Sequence, residues 1–337
     1  TKSKKSIKTK ETNIVSEVLI NKNSLSKKQN YTEEQLAFIE ANIKQSIILL
    51  ATAGSGKTEA SIQRVKFLLT NGVPPEKIIF FSYTTAAVNE FKKRLNNDKV
   101  KITTIHAFCL GMLSRMKKFK EVVDIYQFID WYKEKFKPRF NDSDEVKSDF
   151  YDLINQMYDD MIIEVRNLLK DNRWLNLFKG QYDYILIDEF QDTSTIQMGI
   201  LLALNASHYT IVGDISQSIY LYSGANAHAV IDMLKKRREC KEMTLSINFR
   251  STKSIVEHSN LYSNLTAIPF HQEEGAVHKE IIIFEELVKI LKENPEVTIL
   301  ARTNDTIRKL EFQLMARKIP MRYFNYLTKS ECESLKR

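Results

Sequence analysis

Two short stretches carry residues whose types and spacing suit phosphate chemistry. The first is ATAGSGKT, Ala51 to Thr58. It follows the apolar run Ile47 to Leu50 and precedes a segment of helical character ending at Thr70, which is the strand–loop–helix setting that a phosphate-binding loop requires. Gly54 and Gly56 let the backbone of Ala53 to Gly56, Ser55 included, fold tightly enough to aim N–H groups at phosphate oxygens, and the next helix adds positive potential at its N-terminus. Lys57 supplies a cation for β- and γ-phosphates and Thr58 a hydroxyl for Mg²⁺. The general pattern has Gly where Ala51 stands. The second stretch is YILIDEFQDTS, Tyr184 to Ser194. Its apolar half predicts a buried parallel strand with Asp188 and Glu189 at the C-terminal end, where open α/β sheets hold their ligands. There Asp188 suits Mg²⁺, directly or through water, and Glu189 suits the orientation and deprotonation of an attacking water. Alone, such a pair is a solvated acidic turn. Downstream of a phosphate loop it completes a phosphoryl-transfer site.

The chain that must position these residues has 337 of them, enough for two cores. Hydrophobic residues make up 43% and charged residues 27%, the balance of a globular protein. Cys109, Cys240 and Cys332 lie far apart and the six histidines form no ligand-spaced pair, so disulfides, zinc and iron–sulfur clusters are not suggested. No apolar run reaches the ~18 residues of a membrane span. The expectation is a soluble, intracellular protein of the cytoplasm. Of the net charge of +8, residues 1–30 contribute +6 through eight lysines and two glutamates. That tail is either a grip for nucleic acid or a flexible solvated arm.

From Tyr31 onward, strand and helix signals alternate. Candidate strands are Ile47–Leu50, Lys77–Ser82, Val100–Ile102, Tyr184–Ile187, Tyr209–Val212, Met243–Ile247, Val297–Leu300 and Met321–Phe324, most with helical periodicity after them. The pattern predicts an α/β fold of doubly wound parallel sheets. Residues 113–181 break the rhythm and read as a helical insertion.

The order of motifs resembles the UvrD/Rep-like family of superfamily 1 DNA helicases over most of residues 31–326. YTEEQLAFIE (Tyr31 to Glu40) is similar to the family's adenine-reading motif, with Gln35 as the base-bonding residue, and AxAGSGKT is a common family form of the phosphate loop. FSYTTAAVNEF (Phe81 to Phe91) and TTIHAFC (Thr103 to Cys109) resemble segments laid against single-stranded DNA. By that resemblance Tyr83 is a stacking platform, Thr84 and Thr104 bond phosphates and His106 contacts DNA; as residues alone, Tyr83 also suits a strand-end core aromatic, and His106 suits a packed helix-start histidine equally well. Thr85 and Ala86 replace a common Asn-Lys. VGDISQSIYLYSGA (Val212 to Ala225) resembles the motif coupling nucleotide to DNA: Gln217 senses the γ-phosphate, and Tyr220 and Tyr222 approach bases. LSINFRS (Leu245 to Ser251) resembles the opening of a second lobe, with Phe249 stacking on adenine and Arg250 acting as an arginine finger from across a cleft. Glu59 stands where many relatives have an Arg.

The resemblance implies two RecA-like doubly wound lobes, the second incomplete, with a small helical insertion in the first. The boundaries are a basic tail 1–30, a first lobe 31–112 and 182–242, an insertion 113–181 and a partial second lobe 243–337. The family's later motifs do not occur before Arg337, so half of the second lobe is expected to be absent. The implied activity is ATP-dependent translocation on single-stranded DNA or a single-strand/duplex junction, 3′ to 5′, with ATP and Mg²⁺. A rival reading is a motor subunit beside a nuclease or other protein in repair or antiviral defence. Residues 115–140, with net charge +4 and seven aromatics, suit such a partner or duplex DNA, or are a packed basic face. Another rival is a catalytically incomplete nucleic-acid clamp, against which the intact Lys57, Asp188, Glu189, Gln217 and Arg250 argue.

Overall fold

A computed structural model of the chain describes residues 31–116, 158–221, 224–279, 283–294, 296–301 and 303–321. They fall into two units, one running to Ala276 and the other starting at Val277. Expectations for the tail, for residues 117–157 of the insertion, for Tyr222 and for residues 322–324 of the last candidate strand lie outside the described residues.

The first unit is built on a six-stranded sheet. Its strands are β1 (Ser46–Ala51), β2 (Ile78–Phe81), β3 (Lys101–Thr103), β4 (Tyr184–Asp188), β5 (His208–Gly213) and β6 (Cys240–Leu245). They lie in the order β3-β2-β4-β5-β1-β6, and every pairing is parallel. The central strands are continuous apolar runs because both faces are covered. Ile79, Phe81, Ile185 and Ile187 point to one face, where they pack with α4 (Ile105–Arg115) and the helices Thr195–Ala203 and Ala227–Lys235. Ile78, Phe80 and Leu186 point to the other, against α2 (Lys57–Thr70) and α3 (Thr85–Leu95). The sheet is therefore doubly wound, as the sequence predicts. A short parallel ladder of β7 (Ile247–Asn248) and β8 (Ile268–Pro269) follows.

From the expected insertion, the helix at 158–168 and the helix Asn172–Phe178 are described, and Met161, Ile162, Val165, Leu169 and Phe178 join the same core as Phe81 and Ile185. This part is a layer on the sheet.

Two expectations differ from the structure. The strand expected from Met243 does not open a second lobe: Met243 to Leu245 belong to β6, which pairs with β1 from Ser46↔Cys240 to Ala51↔Leu245 as the sixth strand of the first sheet. In the second unit Val297–Leu300 forms no strand, and Leu300 is 89% exposed. A strand needs a partner ladder, and the second unit offers none among its described residues. Instead, the helices Phe284–Glu293 and Asn304–Ala316 meet around Val288, Leu314 and Ile319.

Candidate nucleotide and nucleic-acid site

The phosphate loop, residues 52–56, joins β1 to α2. Gly54 and Gly56 both adopt left-handed φ, at 69° and 79°, a conformation that side chains disfavour. The loop is held from outside by its neighbours. Thr52 N–H donates to Leu245 O at 2.9 Å, and the Ser55 hydroxyl donates to Thr52 O at 2.8 Å. Gln35 sits in α1 (Glu33–Ile39), where its side-chain oxygen accepts from Thr32 N–H in a capping box and its amide donates to Ser55 O at 3.0 Å. Both ends of that amide are thus engaged, and a Cβ on Gly56 would stand 2.9 Å from it. Arg64 of α2 fixes α1 in turn by donating to the carbonyls of Ile39, Ala41 and Asn42.

β4 delivers Asp188 and Glu189 to the same side of the sheet. The Lys57 ammonium lies 3.4 Å from Glu189 Oε2 and Asp188 Oδ1 accepts from Glu189 N–H at 3.1 Å. Burial, and then the Glu189 charge, push Asp188 up to about 7, while Lys57 and the backbone N–H oppose the rise. The same two causes push Asp192 up to about 6. Glu189 itself has φ 51° and ψ 48°, a conformation sparsely populated by non-glycine residues.

Two residues to which the sequence reading gave no role complete this centre. Gln191 donates to Glu189 Oε2 at 2.9 Å and accepts from Asp214 N–H at 3.1 Å. Asp214 in turn accepts from the Gln217 amide at 2.8 Å and from Ser216 N–H at 2.9 Å. Asn248 is the other. Its amide donates to Ala53 O at 2.8 Å and its oxygen accepts from Arg250 N–H and Ser251 N–H, both at 2.8 Å. Phe249 N–H donates to Gly54 O at 3.0 Å. The arginine expected from across a cleft therefore has its backbone N–H held by Asn248, which itself bonds the phosphate loop, and its side chain is exposed. The sequence signal for both residues was position: Gln191 stands two residues after Glu189, and Asn248 two before Arg250. Phe249 packs on Phe270, ring centroids 5.0 Å apart.

On the other side of the strand ends, the rings of Tyr83 and Tyr220 lie 5.1 Å apart, and Tyr83 is 41% exposed. Thr84 and Thr104 cap α3 and α4 by accepting from Ala87 N–H and Ala107 N–H. A hydroxyl that accepts in this way still has its own proton to donate. His106 meets the Tyr158 ring edge-on at 5.5 Å, and burial lowers its pKa, which favours the neutral imidazole.

The donor set fits a Mg²⁺–nucleotide. The hydroxyl of Thr58 and the carboxylate of Asp188 are hard oxygen donors, and among the described residues no group of three or more His, Cys, Asp or Glu could cage a metal alone. Magnesium characteristically takes one or two protein ligands and completes its shell with phosphates and water.

A family model described as UvrD/REP helicase N-terminal domain matches residues 31–157 and 147–238. The chain belongs to this family. Lys57, Asp188, Glu189 and Gln217 fall inside the match, and Asn248 to Arg250 follow it. Among similar proteins is a probable DNA helicase II homolog of Mycoplasma capricolum subsp. capricolum, 27% identical over 369 residues, covering 86% of this chain and 51% of that protein. Another is the ATP-dependent DNA helicase PcrA of Staphylococcus aureus, 25% identical over 350 residues, covering 81% and 48%. The chain spans about half the length of the curated relatives it matches. In UvrD/REP terms, the six-stranded sheet is the RecA-like lobe the sequence led us to expect. No helix among the described residues is long and apolar enough to cross a membrane.

Proposed function

We propose that this chain is the nucleotide-hydrolysing part of an ATP-dependent DNA helicase that moves along single-stranded DNA. The observation that carries the reading is the convergence of Lys57, Asp188 and Glu189 beside the phosphate loop, with Glu189 bonded onward through Gln191 to the turn that holds Gln217.

The geometry suggests a sequence of events. Lys57 pairs with Glu189 when no phosphate is present; an incoming triphosphate offers it a stronger anion, and its departure leaves Glu189 Oε2 to accept a proton from water. Thr58 and Asp188 are the residues that would hold Mg²⁺, whose chemistry is to neutralise charge on the β- and γ-phosphate oxygens. The water oxygen then attacks the γ-phosphorus as the bond to the bridging oxygen breaks, while Glu189 keeps the proton. Gln217, held by Asp214, reports on the γ-phosphate, and Arg250 meets the developing charge. Tyr83 and Tyr220 offer π-faces that accept any base, and the Thr84 and Thr104 hydroxyls can bond phosphates without reading sequence. The family resemblance supports 3′ to 5′ movement.

The test is Glu189→Gln in the full-length protein. It preserves shape but removes the base, so Mg²⁺–ATP binding is retained while single-strand-stimulated hydrolysis falls by about 10²-fold or more. Wild-type turnover in that variant would refute the role given to Glu189.

A further inference from the structure

Gln191 occupies an unusual place for an uncharged side chain. It is 2% exposed, between two strand ends, and spends both ends of its amide on different motifs: the nitrogen on the Glu189 carboxylate, the oxygen on Asp214 N–H. Its own carbonyl accepts from the Ser218 hydroxyl at 3.3 Å. One residue is therefore bonded three times, once to the carboxylate that faces the nucleotide and twice to the turn at 214–218. The neighbouring strand makes room for it. A Cβ on Gly213 would lie 2.2 Å from Gln191 Oε1 and 2.8 Å from the Phe190 ring, so only glycine at the end of β5 lets the amide sit there.

The turn that Gln191 grips leads within two residues to Tyr220, whose ring stands beside Tyr83. A shift of Tyr220 on binding a base would move the 214–218 turn. Because Gln191 accepts from the Asp214 peptide and donates to Glu189, that movement would be felt as a change in the position of the carboxylate. Glu189 is receptive to such a change, since its left-handed backbone is held by its surroundings rather than by its own preference.

We propose that Gln191 is a positioning residue that makes hydrolysis responsive to DNA by tying the Glu189 carboxylate to the 214–218 turn. The inference rests on the motor reading above and deepens it: Gln191 acts through Glu189 on one side and Asp214 on the other.

The experiment compares full-length wild type with Gln191→Met, which keeps the volume and removes both side-chain hydrogen bonds, and Gln191→Glu, which keeps an acceptor for Asp214 N–H but has no N–H for Glu189. ATPase kcat is measured with and without a saturating oligo-dT single strand, alongside thermal melting, a fluorescent Mg²⁺–ATP analogue titration and oligo-dT binding. Both variants should melt cooperatively and bind analogue and DNA, and the ratio of stimulated to basal kcat should fall about tenfold, the size expected when one link in a coupled network is removed. An unchanged ratio in a folded Gln191→Met overturns the inference. So does an equal loss of stimulated and basal kcat, which would make Gln191 structural support only. A wild type that single-stranded DNA fails to stimulate overturns the motor reading and this inference with it, whereas a stimulated wild type with an unchanged variant ratio overturns this inference alone.

Discussion

Asp188 occupies a place at the strand end that works against stability. Its ordinary value of 3.8 is pushed up to about 7, first by burial and then by the Glu189 charge. Between those values the folded state holds a proton that the unfolded state has released, so the folded state binds more protons and its stability falls as pH rises. Asp192, raised to about 6, acts in the same direction. Replacing Asp188 with Asn removes the burden, and the nucleotide-free variant should melt above wild type by a margin that is absent near pH 4, grows toward pH 7 and then levels off. The gain should be on the order of 1–3 kcal/mol once relaxation around the buried group is allowed for, and Mg²⁺-dependent hydrolysis should be lost. Coincident melting profiles across that range would show that Asp188 is comfortable ionised. That Lys57, Asp188 and Glu189 would lie together was legible in the sequence, because a phosphate loop and a strand-end acidic pair of a parallel sheet open on the same side. Gln35 was only half legible: its place at the start of a helix could be read, but the engagement of both ends of its amide depends on a capping box and a loop carbonyl 20 residues away.

Among the elements, the strap formed by β6 and β7 holds the phosphate loop as firmly as the loop's own glycines. Leu245 O, Asn248 and Phe249 N–H together bond the backbone of Thr52, Ala53 and Gly54, and a Cβ on Gly54 would stand 2.8 Å from Arg250 Cβ. Asn248 is 4% exposed and ties the Arg250 and Ser251 N–H groups to Ala53 O through its amide. Asn248→Ala should cost about 1–3 kcal/mol by orphaning those groups and should lower kcat by about tenfold if the arginine drifts. In an Arg250→Ala background the same change should add little to the catalytic loss, because residues that act as a unit are not additive. Additive losses in kcat would separate the two residues. This strap is where the sequence was least legible. The central strands read as unbroken apolar runs, but β6 lies at the sheet edge and carries exposed Lys241, Glu242 and Thr244, a composition that protects an edge and hides it from a search for buried strands. The reading therefore began the strand at Met243 and assigned it to a second lobe.

For the molecule as a whole, the proposed binding of single-stranded DNA has two separable contributions, charge and stacking. Most of the net +8 lies in residues 1–30, while the aromatic pair Tyr83 and Tyr220 follows the ends of β2 and β5 in the chain. Lys and Arg contacts release counterions and set the slope of affinity against salt, whereas stacking on an aromatic face is nearly indifferent to salt. Replacing Tyr83 and Tyr220 together by Ala removes two stacking faces worth ~1–3 kcal/mol per base, so affinity for a single-stranded oligonucleotide should fall by about 30-fold or more at fixed ionic strength. The slope of log Kd against log salt should stay that of wild type, because no phosphate contact by a cation has been lost. Titrations from low to moderate salt separate the outcomes. A flattened slope would mean that the variant has shifted the path of the strand across the basic residues, and an unchanged affinity would mean that the two rings serve the packing of the strand ends and that DNA runs elsewhere.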